Sequence, residues 1–464
     1  MSSVSSMRTP RFRFGAALGA VAILFGTSAC GGLGAAEDKK SGSSPVPELG
    51  SDQKVSITFE SYNFGQAGPW TETFTALIKK FEQAHPNIKV TAQKPQGNSP
   101  NPAADAVSSV QNETASGNPP DVAQLGFGDL DYAVNGLGAQ PLDDLVGKAE
   151  VRKNFGGAHP YATRAQTLGD WSGKTYGVPF VFSTPVLYYN ADLFKKAGLD
   201  PAKPPKTWDE VAKAALAIKK KTGKDGQYSD CLTKIATDWC FQSMVRSNGG
   251  RVISQDRSEL TFDQPPAVEA VEQARAMVKS GATPKLNQEQ AYTEFARGDM
   301  GMILETSAVQ GLFMKGSKDK WDLRAANSPG FGSKPVIPTN SGSALFVYAK
   351  DAAKQRAAWE LIKFLTSDQA YTMISSKIGY LPLRTGLVDD PKGLKTWAQQ
   401  NPLIKPNLDQ LTRMEPWQSF PGKNYIQARN EMLDAVEKAV YQGADPKTTL
   451  QAARKQAAKL LPKK

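Results

Sequence analysis

STPVLYYNADLFKKAGL, residues 183–199, followed after a short gap by PPKTWDE, residues 204–210, is the stretch around which the rest of the chain is read. Val186 to Tyr189 carries β-branched and aromatic side chains and reads as a strand. Thr207 stands three places before Glu210, the spacing of a capping box, with Pro204 and Pro205 setting the approach to a helix. The same grammar extends outward in both directions. Residues 55–62 (VSITFESY) alternate as a strand does. Trp70, Phe74, Leu77, Ile78 and Phe81 recur at helical spacing, and Pro86 stops that helix. Further strands are predicted over 88–92, over 122–125 after Pro119-Pro120-Asp121, over 300–304 and over 345–348. An amphipathic helix over 355–365 places Ala358, Leu361, Ile362 and Leu365 on one face, and a terminal helix carries Leu433, Val436 and Val440. Strand–helix–strand order with connections of this length predicts a parallel α/β sheet. The size of the body predicts two lobes rather than one core. Residues 169–175 (GDWSGKT) resemble a phosphate-binding loop but are one residue short, and read as a turn.

The N-terminal end predicts location. Arg8, Arg11 and Arg13 precede an apolar run over residues 14–25, about a dozen residues and the length of a signal-peptide core rather than of a membrane span. Gly26-Thr27-Ser28-Ala29-Cys30 then resembles the lipobox of bacterial lipoproteins, in which the cysteine is acylated and becomes the new N-terminus; Thr27 stands where that pattern usually has Leu. The resemblance implies residues 1–29 as a signal peptide and Cys30 as the lipidation site on the extracytoplasmic face of the cell membrane. Residues 31–53 are rich in Gly, Ser and Pro and read as a flexible tether.

Composition removes several classes. Hydrophobic content of 40% and charged content of 22% are those of an ordinary globule. The formal net charge is +11, but three of those charges lie in the leader and the remainder is scattered. Lys219-Lys220-Lys221 falls at a helix end, where cations suit the dipole, so no nucleic-acid partner is expected. Three cysteines and two histidines are present. With Cys30 in the leader, Cys231 and Cys240 are expected to pair as a disulfide in an oxidising compartment, and no metal or cofactor site is expected.

The quoted stretch, together with Pro119-Pro120-Asp121-Val122, FARGDMGM at 295–302, IGYLP at 378–382 and the terminal helix, closely resembles the family of extracellular solute-binding proteins that includes maltose-binding protein and the glycerol-3-phosphate-binding protein. The resemblance covers about residues 54–460. It implies a type II periplasmic-binding fold: two α/β lobes, each discontinuous, hinged around a ligand cleft. The crossings are expected near Pro179, Pro329 and Tyr380. That places residues 54–179 and 330–380 in the N-terminal lobe and 180–329 and 381–464 in the C-terminal lobe, after a lipidated tether over 30–53. The implied function is capture of a small molecule for the permease subunits of an ABC importer, by a monomer with no catalytic residues.

A sugar presents paired hydroxyls and an apolar ring face, so its cleft needs directional polar groups and aromatic platforms. Open α/β sheets bind at strand ends. The polar candidates there are Ser183 and Thr184, Ser307 after the 300–304 strand, and Ser341 with Gly342 before the 345–348 strand, the glycine allowing close approach of a ligand to the backbone. The platform candidates are Tyr62, Phe127, Trp239, Tyr380 and Trp417. Against the glycerol-3-phosphate-binding relative, Ser419-Phe420-Pro421-Gly422 stands where an Arg meets the phosphate, and Phe127 where an acidic residue lies. Those departures favour a mono- or oligosaccharide, with glycerol-3-phosphate or a glycerol phosphodiester as the alternative. A secreted glycoside hydrolase remains the enzyme-class rival, since Asp and Glu are plentiful.

Overall fold

The computed structural model describes residues 45–66, 69–97 and 102–462. The leader, Cys30 and the tether as far as residue 44 lie outside them. Eleven strands occur among the described residues: β1 (Val55–Glu60), β2 (Ile88–Gln93), β3 (Val122–Gly126), β4 (Asp170–Trp171), β5 (Lys174–Thr175), β6 (Gly177–Ser183), β7 (Pro185–Asn190), β8 (Asp225–Ser229), β9 (Met300–Thr306), β10 (Leu323–Asn327) and β11 (Ser341–Val347). They form a five-stranded sheet in the order β2-β1-β3-β11-β6, a four-stranded sheet in the order β10-β7-β9-β8, and the hairpin β4-β5. The hairpin occupies the phosphate-loop lookalike, with Ser172 and Gly173 at positive φ making its two-residue turn.

Only part of each sheet is parallel. In the first, β1 runs parallel to β2 and to β3, while β11 is antiparallel to both β3 and β6. In the second, β8 runs parallel to β9, while β7 is antiparallel to both β9 and β10. The expected parallel sheet therefore gives way to a mixed one, and the reason is connectivity. The chain leaves the first sheet at the end of β6 and re-enters at the start of β11, with Ser183 paired to Ser341. Strands that exit and re-enter at one edge must run in opposite directions.

The 183–199 stretch is strand and helix as read. Every residue of β7 is buried. Val186 and Tyr188 enter a small cluster with Tyr228, Phe295 and Phe313, while Leu187 and Tyr189 enter the main core. Burial on both faces makes the strand a continuous apolar run rather than an alternating one. The capping box also forms: the Thr207 hydroxyl accepts from Glu210 N at 3.2 Å, and a Glu210 carboxylate oxygen accepts from Thr207 N at 3.3 Å. The helix that follows, Trp208–Thr222, ends at Gly223 with φ +70°. Helices Pro69–Ala84 and Ala352–Leu365 bury the predicted apolar faces, and no helix among the described residues is long and apolar enough to cross a membrane.

The crossings fall elsewhere than expected. Pro179 lies inside β6, at the register shift opposite Ser343/Ala344, where a missing N–H costs no ladder bond; the chain changes sheets at Thr184. Gly330 still bonds to the second-sheet side through Lys206 and Trp208, and the passage comes later, about Thr339, which bridges to Glu415. After Tyr380 the chain stays with the first sheet. Leu381 N donates to Phe182 O, and Arg384 donates to the carbonyls of Asn154, Gly156, His159 and Thr366. The tether is also less free than its composition suggests. Val46 N bonds Leu145 O at 2.7 Å, Glu48 pairs with buried Arg356, and Val46 and Leu49 pack on the core.

Candidate functional site

The ends of β3, β6, β9 and β11 converge on a cleft of about 350 Å³ between the two sheets, within the range of small-molecule sites. A larger recess, about 1140 Å³, lies on the surface beside the docked Glu48; Glu48, Glu150, Arg356, Glu360 and Lys363 in its lining pair with one another, and only the start of β2, at Ile88, reaches it. The cleft is the better candidate, because strand ends, aromatic rings and buried carboxylates meet there.

Seven of the ten expected ligand-binding residues line this cleft: Tyr62, Ser183, Trp239, Ser341, Gly342, Tyr380 and Trp417. β1 stops at Glu60, and the Ser61 hydroxyl caps the short turn that carries Tyr62 by accepting from Asn63 N at 3.1 Å. The Tyr62 hydroxyl donates to Ser343 Oγ at 3.1 Å, and burial pushes its pKa up to about 12. Trp417 is held at both ends. Its backbone N donates to Asn340 Oδ1 at 2.8 Å, and its indole Nε1 donates to Asp238 Oδ1 at 2.9 Å. Its ring lies against Gly128, where a Cβ would come within 2.5 Å of the indole, so Gly126-Phe127-Gly128 serves the cleft through both glycines, Gly126 lining it and Gly128 seating the indole. Trp239 opens a helix immediately before Cys240, which is joined to Cys231 as expected. Between the two cysteines Thr237 sits at φ +62°, a strained conformation for a β-branched residue.

Three expected residues lie outside the lining. Phe127 is buried behind the cleft and meets Phe182 edge-on at 6.4 Å. Thr184 is the crossing residue: its hydroxyl donates to Asn407 Oδ1 at 2.7 Å and accepts from Gln410 Nε2 at 3.1 Å. Ser307 is buried one position beyond Thr306, the end of β9. The role expected of Gly342 also changes. Its φ is +112°, and a Cβ there would lie 2.0 Å from Val181 O, so the neighbouring strand, rather than the approach of a ligand, demands the glycine.

The residues that sequence reasoning missed are mostly charged. Asp129, Asp230, Glu305 and Arg429 all line the cleft. Asp129 is held by Tyr425 Oη at 2.6 Å and Gly126 N at 3.1 Å, and burial raises its pKa. Burial likewise raises Asp238, behind Trp417. Asp230 receives Thr233 Oγ1 at 2.9 Å and Gln288 Nε2 at 2.5 Å. Glu305 receives Tyr292 Oη at 2.6 Å and Thr306 N at 2.8 Å. Asp230 and Glu305 follow the paired residues Ser229 and Leu304 of β8 and β9, and burial together with that neighbouring carboxylate drives Glu305 well above the usual carboxylate range. Arg429 projects from helix Tyr425–Tyr441 toward Asp129 and Asp238. It makes no ion pair within 4 Å among the described residues, and its Nε is buried without a partner. Among the described residues no three His, Cys, Asp or Glu side chains are grouped as a metal site.

Two sheets with strand ends facing a shared cleft, and a chain that passes repeatedly between them, define a two-lobed α/β binding protein. The family model of bacterial extracellular solute-binding proteins matches residues 76–406, and the chain belongs to that family. That family is one of extracellular solute-binding proteins rather than of enzymes. Among similar proteins is the sn-glycerol-3-phosphate-binding periplasmic protein UgpB of Brucella melitensis biotype 1, 28% identical over 286 residues, covering 60% of this chain. The matched region spans 65% of that relative's length. The UgpB of Agrobacterium fabrum is 27% identical over 288 residues, covering 60% of this chain and 65% of the relative. Two solved structures share the fold at 22% identity. The cyclic α-maltosyl-1,6-maltose binding protein from Arthrobacter globiformis has a TM-score of 0.71, covering 88% of this chain and 99% of that one. UgpB from Mycobacterium tuberculosis in complex with glycerophosphocholine has a TM-score of 0.74, with coverage of 88% and 98%.

Proposed function

We propose that the chain is the solute-binding lipoprotein of an ABC importer. In this reading a sugar, mono- or oligosaccharide, is captured in the cleft and handed to the membrane permease. The observation that carries it is the balance of groups lining the cleft: aromatic rings (Tyr62, Trp70, Trp239, Tyr292, Tyr380, Trp417) beside three carboxylates and a single guanidinium. Aromatic faces suit sugar rings, and buried carboxylates accept directional bonds from hydroxyls. A phosphate would meet that acidic wall at close range in a low-dielectric site, where like charges repel strongly. One observation favours the second reading, a glycerol phosphodiester: Arg429, unpaired, faces the cleft, and arginine is the side chain suited to phosphate. Lipidation at Cys30 follows from the pattern 26–30 and would hold a monomeric body at the outer face of the membrane.

Mass spectrometry of the solute that co-purifies with the protein, followed by calorimetry across a sugar panel, tests the proposal. A sugar bound and returned unchanged is the expected result. Trp239→Ala should weaken its binding more than tenfold, about 1.4 kcal/mol. Binding of glycerophosphocholine with no response to any sugar would overturn the sugar reading.

A further inference from the structure

Asp230 and Glu305 are two almost fully buried carboxylates, 2% and 1% exposed, that follow the paired residues Ser229 and Leu304 and share one wall of the cleft. They sit at the C-terminal ends of adjacent parallel strands, β8 and β9. Their hydrogen-bond donors are all neutral: Thr233, Tyr228 and Gln288 for Asp230, Tyr292 and the Thr306 amide for Glu305. Among the described residues no Lys, Arg or His nitrogen lies within 4 Å of either. Two other buried carboxylates do meet a cation, Asp131 with Arg257 at 2.6 Å and Asp121 with Lys354 at 3.1 Å, whereas Glu60, Asp129 and Asp238 are buried among neutral donors. Two buried carboxyl groups side by side with no cation near them each disfavour the other's ionised form. An isolated buried charge is costly, and a cation that enters and pairs with it removes that cost. Tyr292, bonded to Glu305, and Trp239 line the same cleft, and aromatic faces attract cations as well as sugar rings.

Resting on the cleft being the ligand site, we propose that the Asp230–Glu305 wall is a subsite for a positively charged nitrogen, so that the preferred solute carries an amino or quaternary ammonium group. A neutral hydroxyl can still donate to this wall, but it leaves the charge uncompensated. An anionic group placed there is repelled. The glycoside hydrolase arrangement is a different one, because that chemistry needs two separated carboxyl groups about 5–10 Å apart.

Calorimetry with matched probes tests this: maltotriose, fully deacetylated chitotriose, trigalacturonate and glycerophosphocholine, each against the parent, Glu305→Gln and Asp230→Asn, with melting curves to verify that the variants fold. An amine-bearing probe is expected to bind at least tenfold more tightly than its neutral counterpart, and the amine-to-neutral ratio should fall below threefold in either variant. Chitotriose binding identifies an amino sugar. Glycerophosphocholine binding without any sugar binding keeps the cationic subsite and removes the sugar reading. Maltotriose binding as tightly as deacetylated chitotriose keeps the sugar reading and overturns the subsite. Tight binding of trigalacturonate, or no binding by either cationic probe, also overturns the subsite.

Discussion

Replacing Gly128 by Ala asks whether the cleft is built on contact between one turn and one indole. Gly128 is not among the glycines at positive φ, so alanine carries no backbone strain there and the effect reads as packing alone. The added Cβ would stand 2.5, 2.7 and 2.8 Å from Cζ2, Cε2 and Cη2 of Trp417. Carbon atoms pack at about 3.5–4.0 Å, so the ring must retreat by about 1 Å. Overpacking of this kind costs about 1–3 kcal/mol. If the retreat also breaks the Nε1 bond to Asp238, a further 1.5–3 kcal/mol is at stake, as for hydrogen bonds to charged groups. The expected loss is therefore about 1–3 kcal/mol if the Nε1 bond survives and about 2.5–6 kcal/mol if it breaks, read from urea denaturation with intrinsic fluorescence as the probe. In a Trp417→Phe background the clash is relieved, so Gly128→Ala should cost at least 1 kcal/mol less there, a coupling that a double-mutant cycle isolates. A Gly128→Ala protein within 0.5 kcal/mol of the parent, or one whose loss is the same in both backgrounds, refutes the reasoning.

Two other perturbations have defined signs. Burial drives Glu60 up to about 7 despite bonds at 2.9 Å from Gln93 and Ser109. Its folded-state pKa thus lies above the unfolded value, and the stability it supports is full below about pH 4.5 and lost as pH rises through 7. The loss approaches about 3 kcal/mol, and Glu60→Gln should flatten the stability profile between pH 5 and 8; an unchanged slope in urea titrations would count against it. Removing both cysteines as Cys231→Ser with Cys240→Ser opens a loop of sequence separation 9 and should cost about 2–3 kcal/mol by loop-closure entropy, with a matching drop in the urea midpoint; a midpoint that does not move would show the loop to be held by other contacts.

What the sequence made legible follows from where the physics is local. Strand β7 and the Thr207 capping box declare themselves within a few residues, because burial on both faces and cap chemistry act at short range. Strand direction is not local: β11 reads as any apolar strand, and only its arrival from the other sheet makes it antiparallel. The family resemblance placed a crossing near Pro179, yet that residue sits inside β6 at a register shift, because the sheet change is set by where the strand's pairing ends and not by the proline. The strand-end rule found Ser183, Ser341 and Gly342 and then stepped past Glu305 to Ser307, since β9 runs two residues beyond its apolar stretch. Asp230 was hidden because β8 begins Asp225-Gly226, which reads as a turn; the glycine is there because a Cβ would meet Ala215 and Ala282 O at 2.6 Å. Arg429 on an amphipathic helix looks like solvent decoration until the helix is docked.

A single residue, Thr184, carries the backbone from one sheet to the other. Such a link behaves as a pin joint: the facing edges can swivel about it, but Ser183 and Pro185 cannot separate by more than two Cα–Cα steps of about 3.8 Å each. Helix Lys405–Gln410 grips the pin through Asn407 and Gln410, and Gln410 also holds Pro185 O and Ser328 N. Torsion at Thr184 is therefore transmitted to a segment some 220 residues further along the chain, which ties the amplitude of any opening to how far that helix can roll.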